Sequence, residues 1–168
     1  MAKLTMQGIS AYTKMLGELD RLSPDVCKAA VYAGAGVVAD EIRKNIDGLK
    51  RVSDNEALAA YQKGVPTLIS VTQKNGLRAG FGISPIKYRG NNTGFIDARV
   101  GFEDYNGIET KRWPDGQPNI MIAAQCEHGS SAIIKQPFVR PAVSRVRDKA
   151  IKAMDEAANK KVKEIIGG

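Results

Sequence analysis

The side chains that could carry out catalysis are few in this sequence and stand far apart. His128 is the single histidine among 168 residues, and Cys27 and Cys126 have no CxxC spacing and no Cys/His cluster beside them. Zinc-protease, serine-hydrolase, P-loop and calcium-loop motifs are absent. Cys126 and His128, two apart on a predicted helix, diverge by about 200° and do not face each other. The sequence therefore predicts no enzyme, and no catalytic, metal or cofactor-binding residue.

These three residues have plainer interpretations. His128 is predicted to be a polar residue at the C-terminal end of a helix. Cys27 and Cys126 are each part of an apolar helical pattern, which predicts buried, reduced thiols, as expected in a reducing cytoplasm.

A glycine motif lies between Gly34 and Ala39 and matches the GxGxxA form of the dinucleotide-binding fingerprint. That fingerprint requires a strand before the glycines, so that a strand-to-helix turn approaches a pyrophosphate. The residues before Gly34 have the pattern of a helix instead. The motif is therefore interpreted as small residues that allow a neighbouring element to pack closely.

The net charge of +7 is concentrated toward the C-terminus. Residues 1–48 hold equal numbers of basic and acidic side chains, whereas residues 135–163 hold a threefold excess of Lys and Arg. Such a field attracts nucleic acid, an anionic surface or an acidic protein. No apolar run of about 18 residues is present, so no membrane partner is expected.

The helices that position these groups follow from apolar spacing and terminal signals. A helical pair is predicted at about 10–46, divided at Ser23-Pro24, where Ser would cap the second helix and Pro would start it. Asn119 is predicted to cap a short helix (119–128) that ends before a left-handed Gly129. A long basic helix is predicted at about 141–166, with a narrow Ala-rich apolar stripe.

The middle of the chain is predicted to hold a variable connection at about 49–70, followed by a sheet and loop at about 83–118. Ser53 with Glu56 and Ser70 with Gln73 have the spacing of capping boxes for two short helices, the second carrying Phe81. Residues 86–88 and 95–102 are predicted to form two strands joined by a Gly- and Asn-rich turn. The predicted fold is a single α+β domain: a small antiparallel sheet packed by N-terminal helices and a long basic C-terminal helix.

A glycine- and proline-rich loop follows the predicted strands and carries the only tryptophan. Lys111 and Arg112 precede Trp113, a combination that could anchor a partner protein or stack on a base. The alternative is that Trp113 folds back over the sheet edge.

Several segments taken together resemble a known family. They are Val100-Gly101-Phe102, Tyr105-Asn106-Gly107, KRWPDGQPN (111–119), NIMIAAQCEHGSSAIIKQPFVRPA (119–142), the opening AKLTMQGISAYTKMLGELDRL and the helix VYAGAGVVADEIRKNI. Their order and extent are similar to the phage tail-component family encoded in the head-to-tail joining region of long-tailed phages and prophages. This is the gene-product-ten-like family of the HK-type lambdoid phages. Residues 49–70 do not align with the family pattern.

This resemblance implies a structural virion protein of the neck or tail, required for tail completion or head-tail joining. Its implied partners are other phage neck and tail proteins and further copies of itself in a ring, with non-specific contact to DNA left open. Its implied location is the virion, after assembly from the host cytoplasm. The residues predicted to form partner interfaces are Lys111, Arg112, Trp113, Arg140, Arg145, Arg147, Lys149 and Lys152. The alternative function is non-specific nucleic-acid binding by the basic C-terminal helix.

Overall fold

The computed structural model describes residues 9–89 and 95–166, and within these ranges it has an α+β fold, as predicted. Its helices are α1 (Ile9–Gly48), α2 (Asp54–Gln62), α3 (Val71–Ala79), α4 (Asn119–His128) and α5 (Val139–Ile166). Its strands are β1 (Arg51–Val52), β2 (Ile69–Ser70), β3 (Phe81–Ile83), β4 (Lys87–Arg89), β5 (Phe95–Asp97) and β6 (Val100–Phe102). None of the helices described combines the length and apolar character needed to cross a bilayer.

Helix α1 is one continuous helix of 40 residues, so the predicted division at Ser23-Pro24 is wrong. Pro24 lies inside it. An interior proline removes one backbone hydrogen bond, and its ring crowds the carbonyl four residues earlier. Its fixed φ is nevertheless close to the helical value, and α1 continues through it. The start signal at Ser23 is therefore overridden, and α1 extends over about 60 Å.

Helices α1 and α5 pack side by side in opposite directions, and this is the largest contact of the fold. Asn45 Nδ2 donates to the carbonyl of Phe138 at 2.8 Å, and further along the pair Arg145 forms an ion pair with Glu41. Still further along α5, a Cβ on Gly34 would lie 2.6 Å from Met154 Cγ. Gly34 therefore provides the close approach that the glycine motif predicted.

The antiparallel strands form an interrupted ribbon. Strand β3 pairs with β6 and β4 pairs with β5, with Ile83 opposite Val100 and Lys87 opposite Asp97. Between these two pairings, one side of the ribbon has three residues (84–86) and the other has two (98 and 99). The extra residue forms a one-residue bulge. Pro85 lies in the bulge and has no N–H for the ladder. The single strand predicted at 95–102 is thus two strands, and the predicted turn lies on residues 90–94, outside the described ranges.

Phe81 begins β3 and does not belong to α3, which corrects the helical assignment of this residue. Its ring contacts Phe102 at a centroid distance of 5.1 Å, and Phe102 contacts Phe138 at 5.8 Å. Position 81 therefore faces the core from a strand, which a helical apolar pattern would not reveal.

The core joins the helices to this ribbon and is not centred on a sheet. It includes Ala39, Ile42, Ile46, Ile69, Leu77, Phe81, Ile122, Cys126, Phe138 and Ala142.

The connection at 49–70 is ordered by both predicted capping boxes. Ser53 N donates to Glu56 Oε2 at 2.9 Å, and Glu56 N donates back to Ser53 Oγ at 3.3 Å. Ser70 and Gln73 make the same exchange at 3.0 and 3.2 Å. The segment also contributes β1 and β2, which pair in parallel. The two capping-box predictions are confirmed.

Candidate functional site

The loop that carries Trp113 is closed at its base by a buried asparagine. Asn106 is buried, and its Oδ1 accepts hydrogen bonds from the N–H groups of Ile108 at 2.9 Å and Gln117 at 3.3 Å. Its own N–H donates to the carbonyl of Gln117 at 2.9 Å. One side chain thus holds both ends of the loop together, in the manner of an Asx turn extended across it.

Asn119 holds the same loop from its other end. It is the first residue of α4 and is 1% exposed, and the N-cap is Pro118, which makes no side-chain hydrogen bond. The predicted capping role is therefore wrong. Asn119 Nδ2 instead donates to the carbonyl of Glu103 at 2.9 Å, and its N–H donates to Asp104 O at 3.0 Å. The side-chain amide and the backbone N–H of Asn119 therefore tie the start of α4 to the segment that follows β6.

Two glycines make room for the side chains of Asn106 and Asn119. Gly76 lies within α3, and Gly80 is at its C-terminal end. A Cβ on Gly76 would lie 2.5 Å from Asn106 Cβ, and one on Gly80 would lie 2.2 Å from the carbonyl oxygen of Glu103. Within the described residues, Asn119 Oδ1 is the one buried side-chain N or O atom without a hydrogen-bond partner. The base of the loop is therefore packed directly against α3.

The tip of the loop presents the predicted cations. Thr110 and Trp113 exchange backbone hydrogen bonds, each 2.9 Å long, which closes a tight turn. Lys111 and Arg112 are exposed, Trp113 is half-buried, and the Arg112 guanidinium lies over the indole ring at 5.4 Å from its centroid. The turn brings these three predicted interface residues together as one cationic and aromatic surface, here called the loop tip.

The predicted interface residues of α5 lie on two sides of that helix. Arg145, Lys149 and Lys152 are spaced by four and three positions, and Lys160 and Lys163 continue the series, so all five share one flank. We call these five residues the basic flank. Arg140 and Arg147 lie on the other side. Within the described residues, no hydrogen bond or ion pair joins α5 to the loop tip, so no such bond links the five predicted residues of α5 to the three of the loop.

Two of the five residues of the basic flank form ion pairs within the described part of the chain. Arg145 pairs with Glu41, whose side chain is only 14% exposed, and Lys152 lies 3.8 Å from Glu156. Lys149, Lys160 and Lys163 have no ion pair within the described ranges. Arg145 therefore helps to fix α5 on α1, while the lysines remain available to an anionic partner.

Glu127 is an important residue whose role is not visible in the local sequence pattern. It is 7% exposed, and its carboxylate accepts hydrogen bonds from Phe138 N (2.9 Å), Val139 N (2.9 Å) and Arg140 N (3.1 Å). These are the free N–H groups at the start of α5, so α4 supplies the cap of a different helix. The available signal was an acid in an apolar helix, followed by a long helix without its own Ser, Thr or Asp cap.

The same contacts set the charge state of Glu127. Burial alone would raise its pKa, but the three backbone N–H groups and the nearby charge of Arg140 outweigh burial, and the pKa lies below its ordinary value. Glu127 is therefore an anion at neutral pH, aligned with the positive end of the α5 dipole.

The cysteines and the histidine, which are the side chains best suited to nucleophilic or metal chemistry, do not form a cluster. Cys126 is buried, and burial raises the pKa of its thiol to about 12, so the thiol stays protonated. Cys27 is exposed on α1, which corrects its predicted burial, because α1 has a solvent-facing side at that position. His128 is exposed at the last position of α4. Over residues 9–89 and 95–166 no three His, Cys, Asp or Glu side chains are placed to share a metal ion.

Comparison with known proteins adds no family assignment. Neither a family model, nor a characterised protein, nor a solved structure matches this chain.

Proposed function

We propose that this chain is a structural protein of the neck or tail of a long-tailed phage or prophage. It acts by protein-protein assembly during tail completion or head-tail joining, and it is not an enzyme. Its partners are other neck and tail proteins and further copies of itself, and its final location is the virion. The sequence resemblance motivates this proposal, and the architecture of the Trp113 loop is the structural observation that supports it.

The loop supports assembly because it is held in one conformation while its tip stays accessible. Asn106 and Asn119 fix its base, and the Thr110–Trp113 turn fixes its tip. A surface ordered before binding loses less conformational entropy on association. Arg and Trp are also the side chains most enriched among residues that dominate interface energies. The loop tip therefore has the composition of a protein-binding surface, on a loop whose base and turn are hydrogen-bonded.

The test is complementation of a phage or prophage that carries a deletion of this gene. The Trp113→Ala variant is expected to lower the yield of infectious particles about tenfold or more, as loss of a dominant interface aromatic implies. Electron microscopy of the lysate should then show heads and tails apart, or tails of irregular length. Tyr61→Ala provides the control, because Tyr61 is an aromatic residue 72% exposed on α2.

A normal particle yield with Trp113→Ala would remove the loop tip from the proposed role. Normal particles from the deletion itself would overturn the assembly function altogether.

The basic flank supports a second candidate function, non-specific binding of nucleic acid. Its five cations line one side of α5 between residues 145 and 163, and the acidic residues Glu156 and Glu164 lie beside them. Lysines in such a row neutralise phosphates without reading sequence. The same surface could face DNA inside a neck, so this candidate is compatible with the first.

A salt titration tests the DNA candidate directly. Binding of a short DNA duplex, followed by fluorescence anisotropy, is expected to weaken steeply with salt. Replacing Lys149, Lys160 and Lys163 by Ala should reduce the slope of log K against log[salt] by about 3, at roughly 0.9 per phosphate contact. Lys63→Ala, on α2, serves as the control. Absence of binding even at low salt would eliminate this function.

A further inference from the structure

A groove opens where the end of α1 meets the segment that leads into α5. It encloses about 620 Å³, and its lining includes the apolar side chains of Leu68, Ile134 and Pro137. Ile134 is 45% exposed although it is a large aliphatic residue. The groove therefore offers apolar surface that the described part of the chain does not cover.

The backbone around the groove is fixed before any partner arrives. The Gln136 side chain accepts a hydrogen bond from Lys50 N at 3.0 Å and donates one to Lys50 O at 3.1 Å. Asn45 Nδ2 binds the carbonyl of Phe138 at 2.8 Å. These bonds connect α1, the start of β1 and the entry to α5, so the groove is a preformed feature of the fold.

The rim of the groove is cationic. Lys44, Lys50 and Lys135 line it and are exposed, and within residues 9–89 and 95–166 none of them has an ion pair. No acidic residue lines the groove. An apolar floor with a cationic rim selects an acidic protein segment that carries an apolar or aromatic side chain. A nucleic-acid backbone would use the lysines but leave the floor uncovered.

This chain itself carries such a segment. Between residues 103 and 109, Glu103, Asp104 and Glu109 are exposed, and they have no ion pair within the described ranges. Tyr105 lies among them and is 55% exposed. Asp104 has a φ of 60°, the single positive φ among described residues other than glycine, and the chain turns there so that Tyr105 is exposed while Asn106 is buried. We call residues 103–109 the acidic segment.

We propose that the acidic segment of one copy docks into the groove of the next copy. Tyr105 covers the apolar floor, and the carboxylates face Lys44, Lys50 and Lys135. The two surfaces differ, so the contact is head-to-tail, and it closes into a ring when the rotation between copies permits. The biological setting rests on the proposed function, because this contact is the one that would link copies in a neck ring.

The test is a charge exchange followed by sedimentation velocity of the purified full-length protein. Wild-type protein is expected to self-associate, and the groove variant K50E/K135E and the segment variant E103K/E109K are each expected to associate at least about tenfold more weakly. An equimolar mixture of the two variants should recover association, because opposite charges again face each other. Tyr105→Ala should also weaken association, while Tyr61→Ala and the charge-matched control K63E/K161E should not. Circular dichroism confirms folding of every variant.

Three results would overturn this contact. They are a wild-type protein that stays monomeric over the whole concentration range, variants that associate as wild type does, and a mixture that fails to recover association. Loss of duplex-DNA binding by K50E/K135E with unchanged self-association would assign the groove to nucleic acid and also overturn it. A monomeric protein whose Trp113→Ala variant still abolishes particle formation would remove this contact and leave the assembly function intact.

Discussion

Replacement of Glu127 by Ala is expected to lower the free energy of unfolding by about 2–4 kcal/mol. The carboxylate satisfies three N–H groups at the start of α5, and two of its hydrogen bonds are 2.9 Å long. Loss of a local helix cap removes about 1–2 kcal/mol, and a hydrogen bond to a charged group contributes about 1.5–3 kcal/mol. Here the cap also joins α4 to α5. Urea unfolding followed by far-UV circular dichroism measures the effect.

Two further variants separate charge from shape. Glu127→Gln keeps one acceptor oxygen but places an NH₂ group against backbone donors, so it should lose about half of the stability that the Ala variant loses. Glu156→Ala removes an exposed carboxylate from α5 and should change stability by less than about 0.5 kcal/mol. Equal stability of wild type and Glu127→Ala would show that water caps α5 equally well.

The contribution of Glu127 also has a defined pH dependence. Because its pKa is lower in the folded state, its stabilisation is complete above the ordinary value of 4.5 and is lost as the pH falls through the lower native value. The stability difference between wild type and Glu127→Gln should therefore be constant near neutral pH and shrink in acid. A difference that grows in acid would contradict this assignment.

Replacement of Gly116 by Ala is expected to destabilise the Trp113 loop by about 2–4 kcal/mol. Gly116 has a φ of 103°, and a Cβ there would lie 1.8 Å from the carbonyl oxygen of Asn106. A side chain at this φ is strained, and the atom it meets is backbone that already belongs to the base of the loop. The clash should therefore open the hydrogen bonds between Asn106 and Gln117.

The chain provides its own probe and its own control for this experiment. Trp113 is the single tryptophan, so its fluorescence reports on the loop, and its emission should shift to the red in Gly116→Ala while far-UV circular dichroism remains helical. Gly107→Ala, in the same loop, adds a Cβ that meets only Thr72 Cγ2 at 3.7 Å and should leave the spectrum unchanged. Identical spectra for wild type and Gly116→Ala would show that the loop absorbs the clash elsewhere.

The features that the sequence predicted correctly depend on neighbouring residues. The capping boxes at Ser53 and Ser70 and the positive φ of Gly129 each arise from side chains or backbone within a few positions, so local patterns identify them. The length of α5 follows from a sustained apolar period. Local chemistry was also sufficient to place Lys111, Arg112 and Trp113 on one exposed turn.

The features that the sequence did not predict depend on distant partners. Glu127 caps a helix that starts twelve residues later, and Gln136 pairs with Lys50 across 86 positions. Asn119 has the residue type of a cap, yet its amide is used by the carbonyl of Glu103, which lies 16 positions earlier. A local pattern contains no information about such partners, so the polar links between elements became visible only in three dimensions.

The packing of α1 against α5 has a consequence for the order of folding. Arg145 meets Glu41 across 104 positions, and Phe138 meets Asn45 across 93. During synthesis the ribosome completes α1 long before α5 exists, so the side of α1 that packs on α5 has no partner helix until residues 139–166 have been made. Contacts of such large sequence separation slow folding, because the loop between them must close first. In a nascent chain, the side of α1 that faces α5 is therefore exposed until residues 139–166 have been synthesised.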